Sequence, residues 1–263
     1  MQILIAIGLA AAVAVPSYYL RLLTLSGAAA TFILAAVIYG VGGWEWTIPI
    51  LAFFILSSLL SKAGRKHKAD FEQLHEKGST RDAAQVLANG GVGGLCALFM
   101  LAYPSDFWYA AYLGSIAAVT ADTWSTETGA LSHQAPRHIL TFKRVPPGTS
   151  GGITLLGTVG GAAGALGIGI IGTAFWPGTE DLVHIMGIVL AAGIAGNVFD
   201  SILGASLQTR YTCAVCGVTT ERRIHHDLET NHTGGVAWIN NDAVNALASL
   251  FGACAAALLL YAL

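Results

Sequence analysis

The chain alternates long apolar stretches with short polar connections. Eight of the apolar runs have close to the ~20 residues that a helix needs to span the hydrocarbon core of a bilayer. These runs lie near residues 2–19, 24–42, 46–61, 83–103, 107–124, 151–174, 183–206 and 236–262. The pattern predicts an all-α, polytopic bundle of about eight transmembrane helices, forming a single integral-membrane domain over residues 1–263.

The composition supports a membrane protein. Hydrophobic residues make up 54% of the 263 residues, charged residues make up only 11%, and the mean hydropathy is +0.63. A water-soluble domain of this size rarely shows such values. Small residues let helices approach closely in lipid, so Gly157, Gly161 and Gly164 predict a helix face for tight packing.

The distribution of positive charge predicts the orientation. All 13 Lys and Arg residues fall in alternate connections: at Arg21, from Lys62 to Arg81, from Arg137 to Arg144, and from Arg210 to Arg223. The positive-inside rule makes these connections cytoplasmic and places both termini outside. We therefore expect cytoplasmic loops near 62–81, 130–150 and 207–235, and an active site on the cytoplasmic face of a bacterial inner (plasma) membrane.

The first apolar run has a second interpretation as a signal peptide. Ala12, Val13 and Ala14 resemble a small-residue cleavage site. No Lys or Arg precedes the run, whereas a signal peptide normally has a basic leader. This favours an uncleaved first helix.

Polar residues gather at the predicted cytoplasmic ends of four helices. These residues are Arg81, Gln85 and Asn89; Asp122, Ser125, Thr126, Glu127 and Gly129; Asn197, Asp200, Ser201 and Gly204; and Asn241, Asp242 and Asn245. An Asp facing lipid would cost about 2.5 to 3.5 kcal/mol, so these side chains should face one another. Hydrogen bonds between helices would explain any single Asn or Ser, but they do not require several carboxylates.

Clustered carboxylates, amides and hydroxyls are oxygen ligands suited to Mg²⁺ that bridges to substrate phosphates. We expect Asp122, Glu127, Asp200 and Asp242 to hold Mg²⁺. Asn89, Asn197, Asn241, Gln85 and Asn245 are candidates for orienting those ligands or the phosphate oxygens. The predicted catalytic residues are Asp122, Glu127, Asp200, Asn89 and Lys62.

A glycine-rich segment before the sixth predicted helix is a candidate phosphate cradle. It comprises Pro147, Gly148, Thr149, Ser150, Gly151 and Gly152. Its glycines permit exposed backbone N–H groups, and the following helix adds its dipole. The same residues also make an ordinary helix cap and turn.

Five basic side chains near the predicted helix ends are candidates for neutralising phosphate charge. They are Lys62, Lys66, Arg81, Lys143 and Arg144. Topology and attraction to anionic lipid are the alternative explanation for the connection that holds Lys62 and Lys66.

The connection near 207–235 contains a second group of potential ligands. Cys213 and Cys216 form a CxxC pair, and His225 and His232 follow. This set predicts a Zn²⁺ site. A polar loop with reduced thiols on the cytoplasmic side is the alternative.

Five ordered motifs resemble a known family. They read RDAAQVLANG at 81–90, ADTWSTETG at 121–129, VPPGTSGG at 145–152, GNVFDSILGA at 196–205 and NNDAVN at 240–245. Together they resemble an integral-membrane family designated as a domain of unknown function, which includes the plant phytyl-phosphate kinase of the vitamin E pathway. The resemblance covers nearly the whole chain. It implies transfer of a phosphoryl group from a nucleoside triphosphate, with CTP favoured, to an isoprenyl monophosphate such as phytyl phosphate, giving the diphosphate.

The main competing function is an ion-coupled transporter or lipid flippase. Such proteins carry discontinuous helices near the midplane and polar groups on both sides of it. Here the polar residues lie near one face, which favours an enzyme. The expected partners are the nucleotide, the prenyl lipid and the bilayer, with no nucleic acid; the sequence leaves a homodimer open.

Overall fold

The computed structural model describes residues 2–68 and 80–262, and for residues 64–68 it describes the backbone only. The helices in these ranges are α1 (Gln2–Tyr19), α2 (Leu25–Lys68), α3 (Ala83–Ala102), α4 (Asp106–Gly129), α5 (Leu155–Thr173), α6 (Leu182–Ser206) and α7 (Asn241–Ala262). Six of them, including the Leu25–Ala63 part of α2, are long and apolar enough to cross a membrane. The predicted helical bundle is confirmed.

Helix α2 contains two of the predicted transmembrane runs. Its backbone is not helical at Gly43, where φ is 61° and ψ is −149°, a conformation that residues with a Cβ avoid. Leu34 before this point and Ile50 after it both pack against Gly90 of α3, so the chain reverses at Gly43. If α2 is counted as two helical segments, the described residues contain the eight helices that were expected.

Helix α4 lies at the centre of the bundle. Every residue from Tyr109 to Ala121 is buried, and the helix contacts α2, α3, α5, α6 and α7. The predicted glycine face of α5 packs on it: a Cβ on Gly157 would lie 2.7 Å from the Ser125 carbonyl oxygen, and one on Gly161 would lie 2.8 Å from that of Ala121. Close backbone approach therefore fixes the two helices together.

The two ends of the bundle differ in character. At one end, the Tyr109 hydroxyl donates to the carbonyl oxygens of Glu45 and Gly172, each at 3.1 Å. Both ends of the described chain lie here, since Gln2 donates to the Gly40 carbonyl and the Tyr261 ring lies 5.9 Å from that of Phe107. The opposite end, which we call the polar end, carries the basic connections.

Short strands order the connections at the polar end, where the sequence predicted loops. Strands β1 (Arg137–His138) and β2 (Gly152–Ile153) pair antiparallel. In the next connection, β3 (Arg210–Thr212) lies between β4 (Thr219–Thr220) and β7 (Asn231–Gly234), while β5 (Ile224–His225) pairs with β6 (Leu228–Glu229). Strands of two to four residues are too short to show an alternating pattern.

Several helix boundaries also differ from the prediction. Helix α4 continues to Gly129, so Glu127 lies on the helix itself. Helix α5 begins only at Leu155, because the preceding residues form β2 and the Thr154 cap. Helix α7 begins at Asn241, after the polar connection that includes β7.

Candidate active site

A cavity of about 400 Å³ opens among the helices at the polar end. Small-molecule sites typically enclose about 300–1,000 Å³. The cavity is lined by Arg81, Gln85, Asn89, Asp122, Glu127, Pro147, Gly148, Thr149, Ser150, Gly151, Gly152, Asn197, Asp200, Asn241 and Asp242 among the residues predicted from the sequence. The structure thus brings together residues from four motif-bearing helices and the glycine-rich segment.

Other predicted site residues lie elsewhere. Lys62, Lys143 and Arg144 are exposed and do not line the cavity. The Arg144 backbone pairs with Arg137 of β1. Asn245 lies one turn further along α7 than the lining residues, and the side chain of Lys66 lies outside the described residues.

Asp122 on α4 and Asp200 on α6 form the centre of the site. Their side chains lie within hydrogen-bonding range of each other. Asp200 Oδ2 is buried and has no hydrogen-bond partner among the described residues. Two ionised carboxylates this close repel each other unless a cation or a shared proton lies between them. The arrangement is therefore suited to binding a metal ion.

Glu127 lies one turn beyond Asp122 on α4. Its side chain is buried, and Oε1 accepts a hydrogen bond from the Ser61 hydroxyl at 2.6 Å. This contact joins α2 to α4 beside the cavity. Sequence reasoning missed Ser61, because a single Ser within an apolar run carries no specific signal.

Glu221 was also missed, although it contributes another carboxylate to the cavity. Its Oε1 accepts hydrogen bonds from the Ser150 hydroxyl at 2.9 Å and from Gln208 Nε2 at 2.7 Å. It lies near enough to Asp200 for their charges to interact. In the sequence, Glu221 appears only as one acid beside two arginines in a long connection.

Arg81 is the one cationic side chain among the described lining residues. Its backbone pairs with Leu23, and its guanidinium lies 5.6 Å and 5.8 Å from the ring centres of Phe53 and Phe54. Burial lowers the pKa of Arg81 to about 10, so it stays charged at neutral pH. With five carboxylates and this guanidinium ionised, the lining has a formal charge of −4.

The glycine-rich segment covers one side of the cavity. Gly148 and Gly151 have positive φ angles of 81° and 76°. A Cβ on Gly151 would lie 2.5 Å from Ala205 Cβ, so the segment packs directly on α6. Thr154 then caps α5 by accepting the Gly157 N–H at 3.0 Å. The N-terminus of α5, with its partial positive charge, therefore adjoins the cavity.

A second cluster occupies the connection between α6 and α7. Cys213, Cys216 and His225 come together as predicted, but the fourth member is His226. The predicted His232 instead packs edge-on against Tyr211, 5.5 Å between ring centres. Hydrogen bonding from the Cys216 backbone N–H, and then from His225, lowers the pKa of the Cys213 thiol to about 7.

A membrane-spanning bundle with an acidic cavity that opens at one end defines an integral membrane protein with a polar site at that end. The chain belongs to the family described as integral membrane protein DUF92, whose model matches residues 8–253. The family resemblance indicated by the five motifs is thereby confirmed.

Similar proteins include one from an archaeon and two from a plant. An uncharacterised membrane protein of Methanocaldococcus jannaschii is 38% identical over 64% of this chain and 67% of its own length. Protein PGR of Arabidopsis thaliana is 31% identical over 81% of this chain and 82% of its own length. The chloroplastic protein VTE6 of Arabidopsis thaliana is 26% identical over 90% of this chain and 65% of its own length. No solved structure matches the chain.

The closeness of Asp122 and Asp200 predicts a gain in stability when one charge is removed. In detergent with EDTA, and at a pH high enough to remove any shared proton, Asp200→Asn should raise the free energy of unfolding by about 1 kcal/mol, because the amide can donate to Asp122 instead of repelling it. Thermal unfolding of both proteins measures this. The control is Glu229→Gln, an exposed carboxylate in β6, which should leave stability unchanged. A loss of stability in both Asp122→Asn and Asp200→Asn would contradict the interpretation.

Proposed function

We propose that this protein is a membrane-embedded phosphotransferase. It transfers the terminal phosphoryl group of a nucleoside triphosphate, with CTP favoured, to an isoprenyl monophosphate such as phytyl phosphate. The observation that carries the proposal is the adjacent Asp122–Asp200 pair in an acidic cavity beside the glycine-rich segment. Family membership supports the same reaction class through the resemblance of the five motifs.

In this proposal, divalent cations offset the negative charge of the cavity. A lining with a formal charge of −4 would repel a triphosphate and a phosphate monoester. Asp122 and Asp200 are placed to hold Mg²⁺ together, with Glu127, Asp242 and Glu221 near by. Bound Mg²⁺ would supply charge neutralisation at the transferred phosphoryl group. The carboxylate and amide oxygens present fit that ion.

The remaining lining residues position the phosphates. Arg81 would hold the acceptor phosphate through its guanidinium, because it is the charged donor on the α3 side of the cavity. On the opposite side, the start of α5 would offer its dipole to the nucleotide beside the glycine-rich segment. The two substrates would then approach each other across Asp122 and Asp200.

The chemistry requires no strong base. A phosphate monoester is mostly ionised near pH 7, so its oxygen can attack the terminal phosphorus of the nucleotide directly. The bond from that phosphorus to the bridging oxygen breaks, and the nucleoside diphosphate leaves. Positioning and charge neutralisation then account for the rate.

An adjoining apolar cavity supports an isoprenyl substrate. It has a volume of about 60 Å³ and lies among α1, both segments of α2, and α3. Leu34, Ala35, Ile50 and Phe54 are among its apolar residues, and Arg81 also lines it. Gln85 and Asn89 face both cavities as well. A lipid lying there would present its phosphate to Arg81 while its tail continues into the bilayer.

The buried part of α4 favours an enzyme over a transporter. From Tyr109 to Ala121 this helix is packed on all sides, and Tyr112 donates to the Trp46 carbonyl near the far end. The cavity therefore has no polar continuation along α4 in the described structure. By the positive-inside rule, the basic residues at the polar end favour a cytoplasmic entrance for the nucleotide.

Removal of either central carboxylate should abolish catalysis. We expect Asp122→Asn and Asp200→Asn each to reduce kcat/KM about a thousandfold or more, because a metal ligand at the reacting phosphates is lost. Purified protein would be assayed with Mg²⁺, four nucleoside triphosphates and several prenyl monophosphates, and diphosphate formation measured. Asp106→Asn, at the opposite end of α4, is the matched control and should retain activity. Full activity in both cavity variants would overturn the proposal.

Narrowing the apolar cavity should impair use of long isoprenoids. Ala35→Phe is expected to raise KM for phytyl phosphate about tenfold, because excluding two methylenes from apolar contact costs roughly 1.6 kcal/mol. KM for a five-carbon prenyl monophosphate should change little. The control is Ala29→Phe, the same substitution at an exposed position of α2 outside the cavity. An equal effect on long and short substrates would show that the tail binds elsewhere.

A further inference from the structure

The connection between α6 and α7 holds a site that the proposed phosphoryl transfer does not use. Candidate ligand atoms of Cys213, Cys216, His225 and His226 all lie within 4.8 Å of one another. None of these residues lines the 400 Å³ cavity. Two thiols and two imidazoles are the donor set of many structural zinc sites.

The two cysteines lie in an ordered turn between β3 and β4. The Gly217 N–H donates to the Cys213 carbonyl at 2.9 Å, and the Cys213 N–H donates to the Val218 carbonyl at 3.0 Å. The Val215 N–H donates to Cys213 Sγ at 3.4 Å. Gly217 closes the turn with a positive φ of 69°. Hydrogen bonds to a ligand atom orient it before a metal binds.

The two histidines lie in the β5–β6 hairpin, where His225 ends β5 and His226 begins the turn. His226 and Asp227 have positive φ angles of 56° and 58°, a region that non-glycine residues rarely occupy. This turn brings the neighbouring imidazoles to 4.3 Å between ring centres, at an angle of 72°. His225 Nδ1 then lies 3.7 Å from Cys216 Sγ, which connects this hairpin to the cysteine turn.

We infer that Cys213, Cys216, His225 and His226 bind one Zn²⁺ in a tetrahedral site. Zinc bond lengths imply ligand separations of about 3.3 to 3.8 Å, so the group needs to contract by only about 1 Å. Four protein ligands leave no open position, which makes the site structural and not catalytic.

The ion would stabilise the part of the connection that reaches the membrane cavity. Glu221 lies between β4 and β5; the turn before β4 supplies the two cysteines, and the β5–β6 hairpin supplies the two histidines. The strands here have only two to four residues and little apolar core of their own. A metal cross-link between the turns would therefore fix Glu221 where it accepts from Ser150 and Gln208.

The test is the zinc content of the purified protein, measured by inductively coupled plasma mass spectrometry. The protein would carry a tag without histidines and be prepared under reducing conditions without chelator. We expect one zinc per chain in the unmodified protein, and almost none in Cys216→Ser and His226→Gln. Two matched controls should keep the ion: His232→Gln in the same connection, and Cys254→Ser in α7.

A further variant separates ligation from folding. Cys216→His replaces one zinc ligand by another and should retain the ion that Cys216→Ser loses. The site would be refuted if the unmodified protein held no zinc after equilibration with excess Zn²⁺. It would also be refuted if His226→Gln kept the ion while His232→Gln lost it. Metal content is measured without substrate, so a failed kinase assay does not affect this result.

Discussion

Carboxylates placed within a bilayer must be shielded from lipid and compensated in charge, and this requirement organises the bundle. Asp122 lies on α4, a helix whose preceding three turns are buried on every side. Close packing at glycine makes that enclosure possible: a Cβ on Gly252 of α7 would lie 2.6 Å from both Ala118 Cβ and the Gly114 carbonyl of α4. Tight contacts of α4 with its neighbours thereby bring the carboxylates of α4, α6 and α7 together.

The negative charge of the cavity lining needs compensation, and this need connects the fold to the proposed reaction. The described lining contains five carboxylates and a single guanidinium, an excess that hydrogen bonds within the bundle would not require. In the proposed reaction, divalent cations would balance that excess and would also attract phosphates to the cavity. The neighbouring apolar cavity, which shares Arg81, would admit the isoprenoid from the membrane side. An enzyme that acts on a lipid phosphate needs an acidic cavity for the phosphates next to an apolar cavity for the lipid tail.

Sequence patterns were sufficient for the helices and for most of the cavity, because apolar runs and isolated carboxylates are strong signals in a membrane protein. They were insufficient where the backbone conformation determines which side chains come together. The gap between the runs at 24–42 and 46–61 predicts a connection there, but only the structure shows that it is a reversal at the single non-helical residue Gly43. Glu221 reaches the cavity through a pairing of short strands, and a left-handed turn selects His226 over His232. Lys143 and Arg144 adjoin the cradle in sequence, yet neither lines the cavity.

The central claim is that Asp122 and Asp200 share a divalent cation. Crystals grown in a lipidic phase and soaked with Mn²⁺, which accepts the same oxygen ligands as Mg²⁺, would test it through anomalous diffraction. The account predicts a manganese peak between the two carboxylates, roughly 2 Å from an oxygen of each. An empty position there, with the two side chains joined directly by a hydrogen bond at saturating Mn²⁺, would contradict it.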